Sequence, residues 1–146
     1  MFDLEIKKLH KLQATLQMAY HNITNIHWHI EGKRFFEIHK KTDELRSEII
    51  EFIDMVAEKI IMLNGKALVN IKEIEKTSLI KENSELTFCE KSAKSVVEYL
   101  TTVLNLVTNV NDKDFSFSLR VQPLIDEIIL SIDKWKWQFE KYSINF

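Results

Sequence analysis

The run His21-Asn-Ile-Thr-Asn-Ile-His27-Trp28-His-Ile-Glu-Gly32-Lys-Arg-Phe35-Phe36-Glu-Ile-His39-Lys-Lys-Thr-Asp43, continued by Ile49-Ile-Glu-Phe-Ile-Asp54-Met-Val-Ala57-Glu58, decides the fold. Its Ile23, Ile26 and Ile30 close an apolar series that begins at Leu9, Leu12, Leu16 and Ala19, with steps of three and four residues. That period is a single stripe on an α-helix. A first helix is therefore expected from Asp3 to Glu31, about 40 Å long at ~1.5 Å per residue. Gly32, free to take the left-handed backbone conformation, stops it. After a short link, Leu45, Ile49, Phe52, Val56, Ile60 and Leu63 repeat the stripe. They predict a second helix from Phe36 to Leu63, ended by Asn64-Gly65.

Outward from this pair, the stretch Lys66 to Thr87 is mixed in polarity, with room for one or two helical turns at Ile71 to Lys76. Apolar residues return from Phe88 to Val110 and predict a third long helix, broken by Asn111-Asp112-Lys113-Asp114. Pro123 is tolerated in a first turn, so the fourth helix should begin near it and carry Leu124, Ile128, Ile132, Trp135 and Phe139. With only 2 Gly and 1 Pro in 146 residues, the chain is poor in turn material. The expectation is an all-α four-helix bundle, one domain over residues 1–146, with a long crossover between the second and third long helices. No internal repeat is evident.

The formal net charge of −2 offers no global field for nucleic acid or an anionic membrane. One cysteine, Cys89, cannot form a disulfide within the chain, which fits a reducing compartment. Its expected role is a small buried hydrophobe, with a surface thiol as the alternative. The N-terminal residues carry acids among their bases and lack the apolar run of a signal peptide, and no segment reaches membrane-spanning length. Cytoplasm is the expected location.

The chemistry lies on a second face of the second helix. At ~100° per residue, His39, Asp43, Asp54 and Glu58 fall within about 100° of one another. A line of charges on a helix is ordinarily its solvated side. Asp54, however, stands between Ile53 and Met55, with Ile50 and Ile61 on its face, and an acid among apolar neighbours needs a partner. His39 of the same chain cannot be that partner, since 15 residues of helix separate the two by roughly 22 Å. Two such helices crossing antiparallel about a twofold axis would bring His39 of one to Asp54 and Glu58 of the other, twice. His27 reaches the same place through the short link. Imidazoles and carboxylates together suit Fe(II), Mn(II) or Zn(II), and the lack of thiolates among them argues against an iron–sulfur cluster. Iron is favoured, because carboxylates can bridge a second iron as ferric charge builds up. No Glu-x-x-His pair on two core helices supports an intrasubunit ferritin centre.

The His27-Trp28 pair, Phe35-Phe36-x-x-His39 and Asp54-x-x-Ala57-Glu58 at these distances resemble the Dps family of ferritin-like mini-ferritins. The resemblance is close over the first two helices and extends to the short helix of the crossover and to Asp133-Lys-Trp-Lys-Trp-Gln-Phe near the end. It implies a ferritin-like bundle assembled as a hollow shell of twelve subunits. It implies a two-iron site between subunits, with His27 and His39 from one chain, Asp54 and Glu58 from its twofold partner, and Asp43 beside them. It also implies oxidation of Fe(II), preferentially by hydrogen peroxide, and storage of the ferric product, which protects DNA by removing both reactants. Lys59 stands where the family usually has Arg, and the connection around Asp114 to Ser118 is longer than typical.

Trp28 is either an auxiliary to the iron site or a packing residue. His10, His21 and His29 are expected at the surface or an interface, and Trp135 and Trp137 in core and subunit contacts. Glu44, Glu48 and Glu51 could form a mineral-nucleating inner face or a solvated surface. A second class of function remains: a structural DNA-coating protein whose metal site is secondary. Lys7, Lys8 and Lys11 are offset by Asp3 and Glu5, and the first helix is expected to begin almost at Met1 without a basic tail, so DNA binding is expected to be weak and salt-dependent or absent.

Overall fold

The computed structural model describes residues 1–85 and 87–146, and every regular element among them is a helix. α1 (Asp3–His29) packs chiefly on α2 (Phe35–Met62), and α4 (Ser92–Val107) on α5 (Gln122–Tyr142), with the short α3 (Ile71–Thr77) in the crossover between the two hairpins. This is an all-α four-helix bundle with one extra short helix. The predicted stripes are its core: Leu9, Leu12, Leu16, Ala19, Ile23 and Ile26 of α1 are each at most 1% exposed, and Leu45, Ile49, Val56 and Ile60 of α2 and Ile125, Ile128 and Ile132 of α5 are buried against them.

The ends of elements depart most from expectation. α4 starts at Ser92 rather than Phe88, because the Phe88 carbonyl accepts the backbone N–H of Glu31 at 3.1 Å in a short parallel bridge between Ile30 and Phe88. The chain is thus extended where it meets the end of α1. Cys89 follows on the surface, exposed, so the expectation of a buried thiol is corrected. α4 ends at Val107 rather than Val110, since Asn109 turns left-handed with φ 56°. α1 gives way one residue before Ile30, and Gly32, φ 83°, then turns the link towards α2. Leu86, within the stretch read as a connection, lies outside the described residues.

Three buried polar side chains of α1 hold the crossover. Gln13 makes a two-pronged pair with the backbone of Leu68, donating to its carbonyl and accepting its N–H, both at 2.9 Å. Asn22 donates to the Lys81 carbonyl at 2.9 Å and accepts the Asn83 N–H at 3.0 Å, while Thr15 accepts the Leu79 N–H at 3.0 Å. Each amide thereby satisfies backbone groups that an irregular segment would otherwise leave unpaired. Asn70 caps α3 by accepting from Lys72 and Glu73. Glu48 crosses from α2 to α5, accepting from Ser131 Oγ and Trp135 Nε1, each at 2.7 Å. That occupation takes Glu48 out of the suggested row of mineral-facing acids, and Glu44 is paired with Lys41 at 3.0 Å. Trp135 is buried as expected, whereas Trp137 is 57% exposed in the single chain.

Asn22→Leu should strand the Lys81 carbonyl and the Asn83 N–H without removing apolar contact. The expected loss is about 2–4 kcal/mol, one to two unsatisfied backbone groups, read as a lower urea midpoint with helix content unchanged below the transition. An unchanged midpoint would show that the crossover does not depend on this amide.

Candidate metal centre

The link 30–34 is short enough that the last turn of α1 faces the first turns of α2, and His27 and His39 meet across it. Their rings stack at 4.0 Å between centroids with an interplanar angle of 10°. Nδ1 of His27 lies 2.6 Å from the His39 carbonyl, and Nδ1 of His39 lies 2.8 Å from the His27 carbonyl. A carbonyl oxygen only accepts, so both Nδ1 atoms carry the proton and both Nε2 atoms keep a free lone pair when the rings are neutral. A carbonyl that accepts from Nδ1 in this way orients the ring and leaves Nε2 available to a metal. Phe35 stacks on the other side of His39, at 5.1 Å and 15°, so His39 is held between two rings. Thr42, fully buried, donates to the Ile38 carbonyl and stands 3.3 Å from His27 Nδ1, closing the space behind the pair.

Burial is the main reason that the His27 pKa lies below the ordinary histidine value, with the neighbouring His39 and Arg46 adding to it and the hydrogen bond to the His39 carbonyl and Asp43 opposing it. The result favours the neutral ring, the form that binds a metal. The first turn of α2 is braced from α5: the Tyr142 hydroxyl donates to Glu37 at 3.2 Å, and the Arg34 guanidinium lies 5.9 Å from the Tyr142 ring. Burial and Glu37 push the Tyr142 phenol up to about 12, which keeps its proton in place for that bond.

Of the five residues singled out from the sequence, three come together in one chain. Asp43 Oδ1 lies 3.8 Å from His27 Nε2, one turn along α2 from His39. Asp54 and Glu58 lie farther along the same helix and are exposed. Asp54 borders a shallow hollow with Ile50, Ile53 and Ala57, and Ile50 and Ile61 are 48% and 59% exposed. Of the apolar neighbours that made Asp54 conspicuous, Ile50 and Ile61 are therefore open to solvent in the single chain, while Ile53 and Met55 are partly buried against the core. Among the described residues, no three His, Cys, Asp or Glu side chains of the single chain form a group that could hold a metal ion. Asp43 is turned instead to Arg46, whose Nε and Nη2 lie 3.1 and 3.0 Å from Oδ1. Arg46 was not singled out from the sequence, although an acid followed by a base three residues on is a helix-pair signal. Trp28 is 62% exposed beside the site. His10 bonds to the Lys66 carbonyl, His21 faces Glu82, and His29 bonds to the Asn25 carbonyl and stacks on Phe88, all outside the centre.

The model of the ferritin-like domain matches residues 6–141. General stress protein 20U of Bacillus subtilis is 30% identical over 138 residues, covering 94% of this chain and 95% of its own. DNA protection during starvation protein 2 of Bacillus anthracis is 25% identical, covering 94% of each chain.

The chain belongs to the Dps family of ferritin-like proteins.

Among solved structures, Dps from Listeria innocua, from a crystal soaked with zinc, superposes with a TM-score of 0.75 at 25% identity and covers 94% of both chains. The His27–His39 pair thus sits in a Dps fold, at the join of its first two helices.

Histidine-labelled protein studied by solid-state 15N NMR should show His27 as the neutral Nδ1–H form at pH values near and below 6.5, where an ordinary histidine is half protonated or more. Because its folded pKa is depressed, His27 costs no stability above 6.5 and lowers stability as pH falls through the folded value. Observation of a protonated ring at 6.5, or of the Nε2–H tautomer, would contradict the hydrogen bonds described.

Proposed function

We propose that this Dps-family chain is a ferroxidase subunit of a hollow iron store, and that its reaction site is shared by two chains. In this reading His27, His39 and Asp43 of one chain face Asp54 and Glu58 of a twofold partner, and twelve chains close the shell. The observation that carries it is the stacked pair of imidazoles whose Nδ1 atoms are committed to backbone carbonyls, with Nε2 of His27 beside the Asp43 carboxylate. Nitrogen and oxygen donors of this kind suit Fe(II). The exposed apolar surround of Asp54 supports a buried place for it in an assembly. Roughly 22 Å of rigid helix between His39 and Asp54 leaves sharing as the way to combine them.

Iron is the substrate here. Two ferrous ions each give up one electron, and hydrogen peroxide, the proposed oxidant, takes both with two protons to leave two waters. His27, its ring favoured neutral by burial, binds without first having to lose a proton, His39 binds beside it, Asp43, Asp54 and Glu58 offset the rising ferric charge, and the product passes into the shell. Removing iron and peroxide together protects DNA, and the proposed compartment is the cytoplasm. Among the described residues no helix is long and apolar enough to cross a membrane. The DNA-coating alternative is less favoured, because the Lys8 ammonium is already paired with Asp112 at 2.8 Å.

His39→Ala and Asp54→Ala should each slow iron oxidation by more than about tenfold, the low end of what loss of a metal-site residue costs, with helix content unchanged. Refolding the two inactive variants together should restore activity, since each mixed pair contains one site with both His39 and Asp54 intact. Light scattering should find a closed oligomer in every case. Mixed dimers that never regain activity would falsify the shared site.

A further inference from the structure

The oxygen of Asp43 that faces His27 Nε2 is already occupied. Oδ1 stands 3.8 Å from that nitrogen and accepts two N–H groups of Arg46, from Nε at 3.1 Å and from Nη2 at 3.0 Å. An arginine is charged at every working pH and accepts no hydrogen bond, so it cannot be neutralised in place or share the carboxylate oxygen with a metal lying on the same side. We infer that Arg46 is a resident cation on Asp43 which an incoming divalent metal must displace, and that it thereby sets how tightly the His27–His39–Asp43 half-site takes iron. The inference rests on the proposed metal site and goes beyond it by naming what holds the site before metal arrives.

Two features make the exchange workable. The side chain of Asp43 is 54% exposed and that of Arg46 22% exposed, so the pair sits in high dielectric, where such contacts are weak and the carboxylate turns away at little cost. The two residues are one helical turn apart, and Arg46 needs only a rotamer change to leave, with no backbone movement. Meanwhile the guanidinium neutralises a carboxylate that would otherwise face the His27 imidazole unopposed. It also repels a second cation at short range. Removing Arg46 should therefore tighten metal binding, the opposite of what loss of a structural support would do.

The test is calorimetric titration of the assembled, metal-free protein with Zn(II), which prefers similar donors and has no redox chemistry. Arg46→Gln should bind Zn(II) roughly three- to tenfold more tightly than wild type, the range expected from freeing an exposed ion pair and removing a nearby positive charge. Arg46→Lys, which keeps the charge but lacks the two-pronged grip, should fall between them. Wild-type crystals supply a measurement independent of any variant: metal-free, the guanidinium should lie on Asp43, and with Zn(II), Asp43 should turn to the metal and Arg46 away. Weaker or equal binding by Arg46→Gln, or a zinc-loaded crystal that keeps the Arg46–Asp43 contact, overturns the exchange while leaving the metal site intact. Absence of Zn(II) from His27 and His39 in the wild-type crystal overturns the metal-site proposal and the exchange with it.

Discussion

Two hydrogen bonds, each from an imidazole to the other histidine's carbonyl oxygen, lock the end of α1 to the start of α2. A helix ending leaves carbonyls without intrahelical partners, and the His27 carbonyl near the close of α1 finds one in the His39 ring. The same contact that finishes a helix terminus also selects the Nδ1–H tautomer of the neutral ring. Structural need and chemical readiness are met by one pair of groups, which is why the link between the helices can be so short. Phe35 and Thr42 then flank the rings, and the Tyr142–Glu37 bond ties the first turn of α2 to α5. None of these neighbours needs to be a ligand to matter to the site.

Most of the bundle was legible because burial follows a helical period. Leu9 to Ile26 and Leu45 to Ile60 are spaced so that no other regular structure could bury them on one side. The ends were less so, since they depend on contacts between remote residues. Phe88 looks like the start of a helix by hydropathy and becomes extended only because Ile30 and Glu31 lie beside it. The same extended backbone keeps Phe88 in the core and leaves the next side chain, Cys89, at the surface. Gln13, Thr15 and Asn22 read as ordinary helix polar residues, and their task of holding the crossover is visible only once residues 68, 79, 81 and 83 are in place. Glu48 belongs to that group, because Ser131 and Trp135 are more than eighty residues away.

The site divides in the same way. His27, His39 and Asp43 could be placed together because a short link and one helical turn leave few alternatives. The separation of Asp54 and Glu58 from them followed from helix rise alone, and in the fold the two acids stand exposed along α2. What spacing did not reveal was the state of the carboxylate. The hold of Arg46 on Asp43 is a rotamer choice, set by local geometry rather than by periodicity.

All parts of the histidine half-site, from His27 to Arg46, lie within one short stretch of chain at the join of α1 and α2, well before the crossover and the α4–α5 hairpin. Ribosomes deliver sequence in that order, and local hairpins close fastest. The α1–α2 hairpin, with the two imidazoles and their carbonyl partners, is therefore able to close before the second hairpin has been made. If the reaction site is shared as proposed, the missing acids arrive only with a second molecule. Subunit encounter then acts as a timing device, withholding redox chemistry from unfinished chains and starting it where a cavity exists to receive the product.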